Sequence, residues 1–295
     1  MRRAGRRPPL LAGLLVALAL VAVGCSPGDD IFFIGGIPDQ DVSVLKERFD
    51  KLARYLSDET GVETRYVPSV AYSAVVTAFK NGGIQMGWFG GLTGVQARLT
   101  VPGARAIAQR AGDERFRSVF IARPGSDITS LGDLRDKSVT FGSPSSTSGH
   151  LMPRLFLTQA GLDPEKEFAV LNYSGSHDKT WKLVESGAYD AGALSAVVWQ
   201  TRVDQGRVDL SKVDVFYTSP PYADYHWLAR PDLDARFGDG FTEKVRQALL
   251  SLRAGDSVRQ EEIMAAFQTD RFIPTANENY DHIEDVARTL GIIEG

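Results

Sequence analysis

Between Phe141 and Arg154 the chain reads FGSPSSTSGHLMPR, with four serines and a threonine packed between Gly142 and Gly149. Hydroxyls at such density can do one of three things. One of them can act as an acyl nucleophile, several can cradle an anion together with backbone N–H groups, or one can simply cap a helix. A nucleophile needs a base and a strained elbow, and no Gly-x-Ser-x-Gly occurs anywhere in the chain. Ser176 and Lys179 fit a Ser-x-x-Lys pattern, but the Ser-Asp-Asn and Lys-Thr-Gly elements that accompany it in serine acyl enzymes are missing. An anion cradle needs the start of a helix, where the first N–H groups lack intrahelical partners. Ser146, Thr147 and Ser148 would add hydroxyl donors there, Gly149 would admit close approach to the backbone, and Pro153 is tolerated only near a helix start.

Other chemistries find little support. The four histidines, His150, His177, His226 and His282, are scattered without metal-ligand spacing, so no metal is expected. The segment GWFGGLTG (87–94) lacks the Gly-x-Gly-x-x-Gly spacing of a dinucleotide site and reads as a tight strand-to-helix turn; no cofactor is expected.

The elements that must position these residues alternate along the chain. IFFIGGI (31–37) is a buried-strand pattern, and over 39–57 Val42, Leu45, Phe49, Leu52 and Leu56 recur at helical spacing. Strand, helix and strand patterns follow at 62–67, 71–83 and 84–89. The order restarts with a strand at 137–142, a helix near 149–160, a strand at 168–173 and a helix at 178–186. This βαβ alternation predicts two α/β lobes with mostly parallel sheets, and ligands of such sheets sit in the crevice at the strands' carboxyl ends.

The N-terminus points to export. Four arginines precede an apolar run from Leu10 to Val23, and Cys25, the only cysteine, follows Ala22-Val23-Gly24 in the manner of a bacterial lipobox. Residues 1–24 are therefore expected to be a signal peptide, Cys25 a lipidation site anchoring the protein to the outer face of the cytoplasmic membrane, and 25–30 a tether. The apolar run of 14 residues falls short of the roughly 20 that a membrane span needs. Without the four arginines, 29 basic residues face 37 acidic ones, which excludes a polyphosphate partner such as nucleic acid.

Several segments, in order, resemble the phosphate/phosphite/phosphonate substrate-binding proteins of ABC transporters: the stretch from GIPDQD to WFGG, STSG with its downstream proline, SGSHDKTWKLVESGAYDAGAL, and SPPYADYHWLARPDL. The resemblance implies a type II periplasmic-binding-protein fold. Lobe 1 would comprise 31–117 and 220–295, and lobe 2 would comprise 124–214. Hinge strands are implied at 118–123 and 215–219. It implies a monomeric receptor for a small oxyanion with ABC permease and ATPase partners, and no catalysis. It further implies that Ser146, Thr147, Ser148 and His177 donate to the anion, that Tyr72 and Asp224 contact it from the other lobe, and that Trp88 or Phe89 lines the opposite wall. Leu194-Ser195-Ala196-Val197 offers no carboxylate where some members hold an amine, and His150 replaces a frequent aromatic residue. GIPDQD, WFGGLTGVQAR and STSGHLMPR are also similar to a subgroup described as selenate-binding transporter components.

Overall fold

The computed structural model describes residues 31–294 together with Met1; the rest of the expected signal sequence, Cys25 and the whole tether lie outside the described residues. Among these residues the chain builds two sheets. The first has the order β11-β4-β10-β3-β1-β2, with β1 at Phe32–Gly36, β2 at Thr64–Val67, β3 at Met86–Phe89, β4 at Arg105–Arg110, β10 at His226–Ala229 and β11 at Phe272–Ile273. The second has the order β7-β6-β8-β5-β9, with β5 at Ser118–Ala122, β6 at Ser138–Phe141, β7 at Val170–Tyr173, β8 at Ala191–Ser195 and β9 at Asp214–Thr218. This is a two-lobed α/β architecture.

Helices α1 (Val42–Thr60), α2 (Tyr72–Lys80) and α3 (Gly91–Thr100) connect the early strands of lobe 1. Leu45, Phe49, Leu52 and Leu56 bury the apolar stripe of α1, as their spacing requires. In lobe 2, α4 (Met152–Gln159), α5 (Pro164–Glu167), α6 (His177–Glu185) and α7 (Ala196–Asp204) do the same around β6 to β8. Helices α8 (Leu233–Phe237), α9 (Phe241–Ser251), α10 (Val258–Phe267) and α11 (Asp281–Thr289) return to lobe 1. On α9, Val245, Ala248 and Leu249 are buried.

One expectation needs correction. The sheets are mixed rather than mostly parallel: β1 runs parallel to β2 and β3, and β6 parallel to β7 and β8, but β10, β11, β5 and β9 pair antiparallel. In the first sheet β10 and β11 run against the other four strands, and in the second only β5 runs against its neighbours, so β9 regains the direction of β6 to β8. The segments expected as hinges, 118–123 and 215–219, lie largely inside the second sheet. There β5 pairs along its whole length with β8 and also with β9. The two passages between sheets come just outside these strands, where Phe116 and Tyr222 exchange backbone hydrogen bonds of 2.8 and 3.0 Å.

Candidate functional site

Strand β6 ends at Phe141 and delivers the hydroxyl cluster into a π-helical turn, Thr147–Leu151, that runs on into α4. The carbonyl of Ser146 accepts from Leu151 N at 3.0 Å, the five-residue span of a π turn. Pro153 sits in the first turn of α4, where its missing N–H is harmless. Ser146 Oγ accepts from Gly149 N at 3.0 Å, so this serine is a helix cap. Thr147 and Ser148 follow it with N–H groups that no intrahelical carbonyl can reach. Gly149 is required by packing: a Cβ there would lie 2.9 Å from Ser146 Oγ, 3.1 Å from Gly142 Cα and 3.2 Å from His177 Cε1.

The turn faces lobe 1. Thr147 Oγ1 accepts from Leu92 N of α3 at 2.9 Å, across the interlobe boundary. Beside it Asp224 is buried, with Oδ1 accepting from Gly91 N at 2.8 Å. Gly90 keeps this corner open, since a Cβ there would stand 3.1 Å from both Asp224 Oδ1 and Thr147 Oγ1. Asp224 Oδ2 has no hydrogen-bond partner within the protein. Burial raises the pKa of this carboxyl to about 7, and the N–H of Gly91 and the hydroxyl of Thr147 only partly oppose the shift. Tyr72, the first residue of α2, is also buried, and its hydroxyl has no partner. Burial holds that phenol well above its ordinary pKa, so it is a neutral O–H donor. A carboxylate with a free oxygen and a phenol with a free hydroxyl thus meet a helix start with free N–H groups.

His177 begins α6 at the same boundary and is fully buried. Tyr225 Oη donates to Asp39 Oδ2 at 2.9 Å and stands 3.2 Å from His177 Nε2, so Nε2 carries the proton and Tyr225 accepts it. His177 Nδ1 then accepts from Ser195 N at 3.3 Å. Burial lowers the imidazole pKa, which keeps the ring neutral. In this closed geometry both ring nitrogens are engaged within the protein, a placement the sequence did not reveal. Asp39 and Tyr225 carry no motif of their own; the one local signal is an acidic residue directly after a buried strand in GIPDQD.

Ser146, Thr147, Ser148, Gly149, Tyr72, Asp224 and His177 all lie buried along the contact between the two lobes. Trp88 and Phe89 do not act as one wall. As neighbours on β3 they alternate: Phe89 packs edge-on against Phe79 in the core, and Trp88 stacks on Tyr225 at 5.6 Å between centroids. His150 sits beneath the cradle with Nδ1 2.7 Å from Pro144 O and Nε2 3.2 Å from Tyr173 Oη, and burial lowers its pKa to about 4. Ser176 Oγ accepts from the backbone N of Lys179 at 3.4 Å, and the Lys179 side chain is exposed, which leaves the Ser-x-x-Lys pair as an N-cap without a base.

A family described as "ABC transporter, phosphonate, periplasmic substrate-binding protein" matches residues 34–280. The chain is 41% identical over 268 residues to the "Probable ABC transporter phosphite binding protein PhnD1" of Prochlorococcus marinus (strain MIT 9301), covering 88% of this chain and 90% of that protein. It is 28% identical over 217 residues to the "Phosphate-import protein PhnD" of Mycolicibacterium smegmatis, covering 66% and 68%. The solved structure of Prochlorococcus marinus PhnD1 in complex with methylphosphonate matches with a TM-score of 0.86 at 41% identity, covering 89% of this chain and 99% of that one. A binding protein component of an ABC phosphonate transporter from Pseudomonas aeruginosa, 20% identical, shares the fold with a TM-score of 0.77 and covers 88% and 86%.

Proposed function

Because this chain belongs to the periplasmic phosphonate substrate-binding proteins of ABC transporters, we propose that it captures a small tetrahedral phosphorus oxyanion carrying one proton, of the phosphite or methylphosphonate type. The observation that carries this reading is the free Oδ2 of buried Asp224. A bare carboxylate repels a fully ionised anion, yet it accepts a hydrogen bond from a P–OH group. Phosphite, phosphonates and phosphate keep such a proton near neutral pH, whereas sulfate and selenate do not. A selenate-type ligand would require Asp224 itself to carry the proton, which burial favours only below about pH 7.

The remaining oxygens of the anion would be held by the Thr147 and Ser148 N–H groups, the hydroxyls of Ser146, Thr147 and Ser148, and the Tyr72 phenol. Neutral dipoles suffice for a desolvated anion when several converge. His177, with both ring nitrogens held by Tyr225 and Ser195 N, would back the cradle rather than donate to the anion, and the two passages at Phe116 and Tyr222 would carry the bending between lobes. Because the anion touches both lobes only when they are closed, binding shifts the population to the closed state, which is then presented to the permease and ATPase. Cys25 would tether the receptor, as a monomer, to the outer face of the cytoplasmic membrane.

The test is calorimetry of the protein lacking residues 1–25 against phosphite, methylphosphonate, phosphate, selenate and selenite, with sulfate as control. Binding of the protonated anions, weakened at least tenfold in Ser146→Ala/Thr147→Ala, is expected. Equal binding by that variant and the parent would overturn the site. Cys25→Ala should move the full chain from the membrane to the soluble fraction, and unchanged fractionation would remove the anchor.

A further inference from the structure

Among the described residues the lobes meet at the proposed anion site and along a second seam that borders it at His177. The second is made by the loop after β1, Ile37 to Asp41, against the start of α6 and the outer face of α7. His177 N donates to Asp39 O at 3.0 Å. Arg202 Nη2 donates to Gln40 Oε1 at 3.1 Å. Asp41 N donates to Asp178 Oδ2 at 2.9 Å, and the Asp41 carboxylate pairs with Lys182 at 3.4 Å and Arg207 at 3.1 Å. Three consecutive residues of lobe 1 thus grip five residues of lobe 2.

The lobe-2 half of this grip is held together by bonds made within lobe 2 itself. Arg202 Nε and Nη2 hold Asp178 Oδ1 and Oδ2 at 2.7 and 2.8 Å, and Trp181 Nε1 adds a third bond to Oδ1 at 3.1 Å. Burial alone would raise the Asp178 pKa, but the Arg202 guanidinium overrides it and brings the value to about 2. The pair therefore presents a fixed acceptor to Asp41 N and a fixed donor to Gln40, without a change of charge over the working pH range.

We propose that Gln40 and Asp41, locked onto the Asp178–Arg202 pair, are positioning residues that set how much of the ligand-free protein is closed and so scale the affinity for every anion by the same factor. The proposal rests on the interlobe reading of the site. Neither residue reaches the cradle or Asp224, so neither can choose among ligands. Both act through closure, and apparent affinity falls in proportion to the closed fraction. Asp39 O also receives the first N–H of α6, so the same loop sets where His177 stands when the lobes meet.

Gln40→Ala/Asp41→Ala removes the side-chain half of the grip and leaves the cradle intact. The measurements are calorimetric Kd values for phosphite, methylphosphonate and phosphate, with small-angle scattering of the same protein with and without ligand. Expected are a common rise in Kd on the order of tenfold for all anions bound, a larger ligand-free radius of gyration, and an unchanged ligand-saturated one. Asp41→Asn, which keeps the backbone bond and loses the ion pairs, should show a smaller uniform rise and a weaker dependence of Kd on salt. Unchanged Kd values, a change in the ranking of anions, or an unaltered ligand-free radius would each overturn the clasp. If no anion binds the parent protein, the functional reading fails instead, and a larger ligand-free radius in the double variant would still support the clasp.

Discussion

Replacing Asp224 with Asn tests the selection of protonated anions directly. Asn retains an acceptor for Gly91 N, now 2.8 Å from Oδ1, and puts an amide donor where Oδ2 has no partner. In the parent complex one proton lies between the carboxylate and the anion. At pH 6 methylphosphonate brings that proton itself, so Kd should be flat around this pH. Above the second ionisation of the ligand, near neutral pH, binding must take up a proton, and Kd should rise tenfold per pH unit. Sulfate never brings the proton. Its binding should therefore require uptake as pH rises through about 7, where the buried Asp224 gives up its proton. The variant loses a hydrogen bond to charge worth about 1.5–3 kcal/mol, or roughly 10- to 150-fold in Kd for methylphosphonate at pH 6. It should also bind sulfate without proton uptake. Calorimetry in two buffers of different ionisation enthalpy counts the proton. The reasoning is refuted if Asp224→Asn binds methylphosphonate within twofold of the parent at pH 6, or if its sulfate binding still consumes a proton.

Burial raises the Asp224 pKa to about 7 in the closed form, so the stability it contributes is full below about pH 4 and is lost as pH rises through about 7; the radius of gyration of the ligand-free protein should grow between pH 5 and 8 in the parent but not in Asp224→Asn. Tyr72→Phe removes a hydroxyl that has no partner in the protein, so urea unfolding should be unchanged while Kd rises about tenfold. His150 and His226 are both buried and held neutral, with burial lowering each pKa to about 4. Their contribution is present above pH 6.5 and is lost as pH falls towards 4, so the free energy of unfolding should fall over that window by up to about 3 kcal/mol per ring, and less in His150→Phe. Arg202→Met strands the buried Asp178 carboxylate and should destabilise the fold by about 3–5 kcal/mol by urea titration.

The alternation of strands and helices was legible because each element repeats a local pattern: the stripe on α1, the buried run of β1, and the proline near the start of α4 all act within a turn or two of themselves. The hydroxyl cluster was legible for the same reason, since capping and the free N–H groups of a helix start are local physics. The π geometry of its first turn was not, because a helical turn of either kind satisfies the same local composition.

The chain by itself determined that two α/β lobes would form, that a donor-rich helix start would lie after β6, and that the receptor would carry net negative charge with no basic run. Tertiary structure decided the acceptor side. Asp39 meets Tyr225 from 186 residues away, and Gly91 meets Asp224 across 133. Only folding could strip water from Asp224 and leave Oδ2 without a partner, because desolvation depends on everything packed around a group and on nothing in its immediate sequence. The same holds for β5 and β9, whose place in the second sheet follows from their pairing with each other and with β8. Strand partners are chosen across the whole chain, so which strand β5 and β9 lie beside could be read only from the closed sheet.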